Sequence, residues 1–452
     1  MSDEIFPSLS HFLFKIRQCN MLKRIVYSVC GAAIVGLAIF SIYAWHPAID
    51  PVESTQTDYS PHVIEQGKML ASAGYCSTCH TPPGGTPYAG NYEMHTDFGT
   101  IYSSNITPDV ETGIGSWSQA AFARAMRTGV SRDGHHLLPA FPYEHFNKMT
   151  DDDINAIYAY IMTSVPAVNQ AKKDNGIPFP LNIRWFQAGW KLLFADTQSF
   201  EVNSQQSAEW NRGAYLAEGI AHCGACHTPR NALGGEKYAQ MYQGAAIDGW
   251  IAPSLTSTST SPIPWRAQDF YEYLTTGNSP YHGSAVGPMA PVMHKGLSAL
   301  PDSDIEAISG YFAEIARTNN TDDPDSSSTL QAAIAAQHQQ PDLRIDEGAR
   351  LYAAACQACH YNSDQLVKGR PLITIGSATH LNDPTNLINV ILDGVRSDQG
   401  ISGVVMPGFR DALSDEDISA IAAYLRQTAG ENTWPKLQQQ VGEIRNQPRF
   451  EH

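Results

Sequence analysis

The chain has 452 residues, enough for about two to four domains, and is 42% hydrophobic and 16% charged, so it can bury substantial cores. Its formal net charge of −16 argues against nucleic acid, which a protein grips with clustered Lys and Arg. An acidic surface suits a soluble compartment or a basic patch on a partner.

In chain order, residues 1–24 carry Lys15, Arg17, Lys23 and Arg24 just ahead of IVYSVCGAAIVGLAIFSIYAW (25–45). That run is uncharged, apolar and long enough to cross a bilayer as a helix. Asp50 and Glu53 follow it. The positive-inside rule then predicts a cytoplasmic N-terminus, a single-pass anchor in the cytoplasmic membrane, and periplasmic domains after it. Ile39 and Ile42 occupy positions that a cleavage site needs small, so the anchor is expected to be retained. Met21 is an alternative start, which makes 1–20 an upstream extension. Cys30 lacks a lipidation context and reads as a small residue within the helix.

The eight cysteines are Cys19, Cys30 and the pairs Cys76/Cys79, Cys223/Cys226 and Cys356/Cys359. A histidine follows each pair at once: His80, His227 and His360. Cys-x-x-Cys-His is the pattern of covalent c-type haem attachment. Two cysteines three positions apart stand nearly one helical turn apart, so their sulfurs reach the two vinyl groups of one haem and aim the histidine at the iron. Zinc would need the pairs close together, but they lie more than a hundred residues apart. Three covalently bound haems c are therefore expected.

A repeat surrounds each motif. Ahead of it run QGKMLASAGYC, RGAYLAEGIAHC and EGARLYAAACQAC, whose apolar spacing predicts a short helix. Downstream come MTDDDINAIYAYIM, LPDSDIEAISGYFAEI and LSDEDISAIAAYLRQ. Each of these places acids in a first helical turn, where they favour the helix dipole. Thr150 and Ser414 suit N-caps and Pro301 a first helical position. Ile154/Ile157/Tyr158, Ile305/Ile308/Phe312 and Ile418/Ile421/Leu425 fall at core-facing spacing. Between the helices the sequence reads as loops rich in Gly, Pro, Ser and Thr. The expected units are 60–200, 201–320 and 341–430, with a polar linker at 321–340 and a surface tail at 431–452. PFPLNIRWFQAGWKLLF (178–194) groups Trp185, Phe186 and Trp190 with Arg184 and Lys191; it reads as a membrane-interface or partner-facing helix, or as packing between the first two units.

This layout resembles the class I cytochrome c fold, which implies an all-α protein of three such domains in tandem behind an N-terminal transmembrane helix. With GTIYSSNITPDVETGIGSW (99–117), RTGVSRDGHHLLPAFPY (127–143) and EWNRGAYLAEGIAHCGACHTPRNALGG (209–235), the chain resembles triheme cytochrome c subunits of periplasmic dehydrogenases. WHPAID, PAFPYEHF, GPMAPV and TWPKL favour the type that serves a molybdopterin subunit with a small [2Fe-2S] subunit, acting on aldehydes or N-heterocycles. The alternative partners are a pyrroloquinoline-quinone alcohol dehydrogenase or a flavin sugar or gluconate dehydrogenase. The implied role is to pass electrons from that catalytic subunit to ubiquinone in the membrane, with no substrate-oxidising site in this chain. A stand-alone tethered carrier and a multihaem peroxidase are the competing readings.

The resemblance also implies sixth ligands. Met406 in VVMPGFRDALSD occupies the usual methionine position in the third unit, and Met/His coordination raises haem potential. In the second unit GPMAPVMHKGL offers Met289 first and Met293 behind it. In the first, Phe141 stands where a methionine is usual. His145 is then the leading candidate, ahead of Met149 or an open position.

Overall fold

The computed structural model describes residues 9–53, 58–317, 325–338, 343–360, 369–396, 398–401 and 403–447. The fold is mostly helical. The first helix is α1 (Leu9–Ala44), which contains the candidate anchor; α2 (Pro61–Ala73), α3 (Gln119–Thr128) and α4 (Asp151–Ser164) follow, then α5 (Phe186–Phe194). Next come α6 (Ala208–Glu218), α7 (Ala267–Thr276), α8 (Asp302–Ala316) and α9 (Asp325–His338). The chain closes with α10 (Glu347–Ala355), α11 (Thr385–Asp393), α12 (Asp415–Thr428) and α13 (Leu437–Arg445).

Three helix pairs carry the architecture: α2 with α4, α6 with α8, and α10 with α12. Each crossing depends on a missing side chain. A Cβ on Gly67 would lie 1.8 Å from the Ala156 carbonyl oxygen; on Gly213, 2.0 Å from that of Ala307; on Gly348, 2.3 Å from that of Ala420. The tyrosine four positions after each alanine, Tyr160, Tyr311 or Tyr424, closes the same contact. So the helices meet backbone to backbone, and only glycine fits the crossing. The N-caps follow the sequence: Thr150 Oγ1 accepts from Asp153 N, and Ser414 forms a reciprocal capping box with Asp417. Pro301 is at the cap of α8 itself, one position earlier than expected. All nine apolar residues assigned to the core faces of α4, α8 and α12 are buried.

The stretches between motif and closing helix are more structured than the loops expected. Each holds a helix, α3, α7 or α11, closed by a glycine with positive φ: Gly129 (59°), Gly277 (71°) or Gly394 (72°). The first two units add antiparallel hairpins, β1 (Glu93–Thr96) with β2 (Gly99–Tyr102) and β3 (Ala245–Ile247) with β4 (Trp250–Ala252).

The cores are not three equal ones. A single apolar cluster runs from Leu70 through Ile157 and Leu216 to Phe312, joining α2, α4, α6 and α8. The third unit has its own cluster around Ile388, Ile418 and Val441. It meets the second through Asn386, whose side chain both accepts from Ile251 N and donates to Ile251 O at 2.8 Å. Asn389 adds a bond to Gly249 O at 2.8 Å.

Two expectations are corrected here. The 321–340 segment contains α9, whose Leu330, Ala333 and Ile334 pack on Ile263, Leu372 and Ile375; residues 321–324 and 339–340 of it lie outside the described residues. The tail is not a loose surface strand: Trp434, Leu437, Val441 and Ile444 are buried in the third core, and Arg445 pairs with Asp415 at 2.6 Å. Their three- and four-residue spacing is set among Gln and Asn, which hides it in the sequence.

Candidate haem site

Each Cys-x-x-Cys-His forms one helical turn. His80 N donates to Cys76 O, His227 N to Cys223 O and His360 N to Cys356 O, all at 3.0 Å. The residues just before the first two turns, Tyr75 (φ 62°) and His222 (φ 38°), take left-handed backbone that reorients the chain as it leaves α2 and α6. Their rings meet edge to face at 5.6 Å, so the first and second motifs stand back to back.

The ring nitrogens are arranged alike. His80 Nδ1 donates to Ser104 O at 2.6 Å, and His227 Nδ1 donates to Pro253 O at 2.7 Å. Both acceptors come just after a hairpin, β1–β2 or β3–β4. A proton fixed on Nδ1 leaves the Nε2 lone pair free for a metal. His360 Nδ1 is buried without a partner among the described residues, which leave out 361–368.

Burial pushes the thiols of Cys76, Cys79 and Cys223 up to about 12, and those of Cys226 and Cys356 to about 11. The six motif cysteines form no disulfide. A neutral, buried sulfur suits a thioether bond better than a thiolate–metal bond.

A cavity of about 1010 Å³ runs past Cys79 and is walled by both cysteines and the histidine of the second and third motifs. Met289 and Met406 also line it. Met293, the second choice in its unit, is fully buried in the core instead. Phe141, Met289 and Met406 each stand twelve residues beyond the glycine that closes α3, α7 or α11, so the three positions share one sequence interval. This regularity was open to sequence reasoning through the TG, TG and DG pairs at 128–129, 276–277 and 393–394, and it was missed. The residues present fit haem: a paired-cysteine turn in each motif, a histidine with Nδ1 committed in the first two, and apolar space beside the second and third.

His145, the leading sixth-ligand candidate of the first unit, has both ring nitrogens engaged by protein groups. It is buried, with Nδ1 donating to Glu218 O at 3.0 Å and Nε2 facing Glu236 Oε1 at 3.1 Å. Both nitrogens thus face oxygen atoms of the protein itself. Glu236 is held below the usual carboxylate range by His145 and Arg230, against the opposing effect of burial. Met149 is packed into the shared core.

A second polar cluster lies near the end of α1. His136 Nε2 donates to Ala44 O at 2.9 Å, and Lys191 Nζ donates to Thr128 O and Gly129 O at 2.6 Å. Burial lowers Lys191 to about 7, with Glu144 acting in opposition.

A family model described as cytochrome c matches residues 64–164, and one described as cytochrome C oxidase, cbb3-type, subunit III matches 343–425. The fructose dehydrogenase cytochrome subunit of Gluconobacter japonicus is 35% identical over 83% of this chain and 81% of its own length. The gluconate 2-dehydrogenase cytochrome c subunit of Pantoea cypripedii is 36% identical over 81% and 86%. A nicotinate dehydrogenase subunit of Pseudomonas putida is 41% identical over 93% of this chain, which spans 35% of that relative.

Proposed function

The chain belongs to the family of cytochrome c subunits of dehydrogenases, and on that premise we propose that it is a membrane-anchored relay of three haems c between a catalytic subunit and ubiquinone. The observation that carries this reading is the threefold recurrence of one frame: crossing glycine, Cys-x-x-Cys-His turn, positive-φ glycine, and a residue twelve positions on. Bound haem supplies reversible one-electron chemistry, which the protein tunes through ligands and burial.

In this reading the architecture is three class I cytochrome c domains in tandem. Cys76, Cys79 and His80 hold the first haem, Cys223, Cys226 and His227 the second, and Cys356, Cys359 and His360 the third. The carbonyls of Ser104 and Pro253 fix the tautomer of two of those histidines. Met289 and Met406, which line the same cavity as His227 and His360, would supply soft thioether ligands to the second and third haems. Phe141 covers the corresponding face in the first unit and cannot ligate. One haem of three is thus expected to be high-spin and to bind carbon monoxide; three low-spin haems would overturn this assignment.

For the partner, the identity to the nicotinate dehydrogenase subunit supports the N-heterocycle type, with a molybdopterin subunit and a small [2Fe-2S] subunit. The apolar helix within α1, Lys23–Ala44, is the candidate anchor, with the haem units on the periplasmic side. Purification of the tagged chain in mild detergent, with mass spectrometry and cofactor analysis, tests the reading. Copurifying molybdenum and an iron–sulfur subunit are expected. Pyrroloquinoline quinone or flavin would move the chain to the alcohol and sugar branch, and a lone haem protein would make it a free carrier.

A further inference from the structure

The segment ending in α5 turns its apolar side outward. Phe179 is 78% exposed, Leu192 64% and Leu193 71%. Its polar side faces inward: Gln187 is buried, and Lys191 reaches His136 Nδ1 at 3.1 Å as well as the two carbonyls closing α3. A water-facing helix does the reverse. The outward residues Trp185, Phe186, Gly189, Leu192 and Leu193 follow three- and four-residue spacing, so they form one stripe.

That stripe touches the anchor. Phe40 of α1 meets Trp185 edge to face at 5.5 Å, and a Cβ on Gly189 would lie 3.6 Å from the Phe40 ring. Phe40 is four residues from the end of α1, about 6 Å along its axis, where hydrocarbon gives way to headgroups. Tyr43 and Trp45, both exposed, mark the same depth, at which aromatic side chains gather. Trp190 Nε1 donates to Leu233 O at 2.8 Å, and the exposed Leu233 extends the apolar surface onto the second unit.

We propose that residues 179–194 lie in the headgroup–acyl boundary of the bilayer, with the stripe of α5 among the lipid chains beside α1. Continuity with the lipid-facing side of α1 selects lipid as the occupant, because a protein covering the stripe would also have to cover the anchor. Interfacial helices of this kind sink about 5–10 Å. The first haem unit is thereby held against the membrane by two elements rather than one.

The inference rests on α1 crossing the bilayer, and the experiment reports that separately. In the haem-loaded full chain with Cys19 and Cys30 replaced by Ala, a nitroxide is attached at Leu193→Cys, Leu192→Cys or, within α1, Val35→Cys. Each variant is reconstituted in phosphatidylcholine–phosphatidylglycerol nanodiscs and must keep the parental haem content. Collision with oxygen and with a water-soluble nickel chelate is then compared. The expected result is a several-fold excess of oxygen over nickel contact at 192 and 193, approaching that at 35. Nickel access at 192 and 193 with position 35 protected would refute the proposal, and so would a label shielded from both reagents, which signals a protein cover. Nickel access at all three positions would refute the anchor itself.

Discussion

Replacing Gly213 by alanine tests whether the helix crossings organise the fold. The new Cβ would sit 2.0 Å from the Ala307 carbonyl oxygen and 2.9 Å from Tyr311 Cβ, whereas contacts under 3.0 Å essentially never occur. Backbone cannot swing aside as a side-chain tip can, so α6 and α8 must part by about 1 Å. A gap of that size forfeits a quarter to a half of the dispersion energy of the apolar pairs it separates in the shared core. Overpacking and lost contact together cost about 3–4 kcal/mol, offset by about 1 kcal/mol of better helix propensity. The net is about 2–3 kcal/mol. The first two units share one core, so about 250 residues should melt together, and that transition should fall by roughly 4–12 °C. Gly310→Ala is the control: it lies on α8, no atom approaches its Cβ within 4 Å, and it should raise the same transition by about 2–4 °C. Calorimetry of the haem-loaded chain measures both. If Gly213→Ala melts as high as Gly310→Ala, the crossing is not the constraint described.

The remaining predictions concern the sites. Met406→Ala should lower the potential of one haem and leave two unchanged in a redox titration, because the third unit has a separate core; movement of all three would contradict the independence of the units. His145→Phe should leave the haem spectra unaltered yet destabilise the shared core by up to about 3–5 kcal/mol, since Glu236 stays buried with only Arg230 beside it. Adding Glu236→Leu should recover much of that loss; a changed haem spectrum would return His145 to the ligand set. Lys191 binds its proton less tightly folded (about 7) than unfolded, so between those values the unfolded chain holds more protons. Stability of the first unit should therefore rise as pH increases above about 7, and Lys191→Met should flatten that slope in pH-dependent denaturation; an unchanged slope would place the effect elsewhere.

Much of the frame was legible because it is local. The motif turns, the acid-rich helix starts and their caps each occupy a dozen residues, and every copy supports the others. The middle helices were not legible. QAAFARAMRT, AQDFYEYLTT and TNLINVILD are nine or ten residues long and contain Thr, Asn or Tyr, so tertiary packing rather than propensity decides them. The glycines of QGK, RGA and EGA were in plain view, but a short approach to another helix is visible only once that helix is placed. The surroundings of His145 were hidden for a similar reason. Its partners Glu218 and Glu236 lie 73 and 91 positions away, beyond the reach of any local pattern.

The twelve-residue interval from helix-closing glycine to Met289, Met406 or Phe141 separates two jobs that one residue could have combined. The glycine and the helix crossings set the scaffold, while in the proposed reading the residue at the end of the interval would choose the ligand offered to the iron. Exchange at that position is therefore cheap in folding terms, and the protein can retune one centre without rebuilding its neighbours. If the assignment holds, each centre takes its electrical setting from a single side chain on a scaffold that the first two units build jointly.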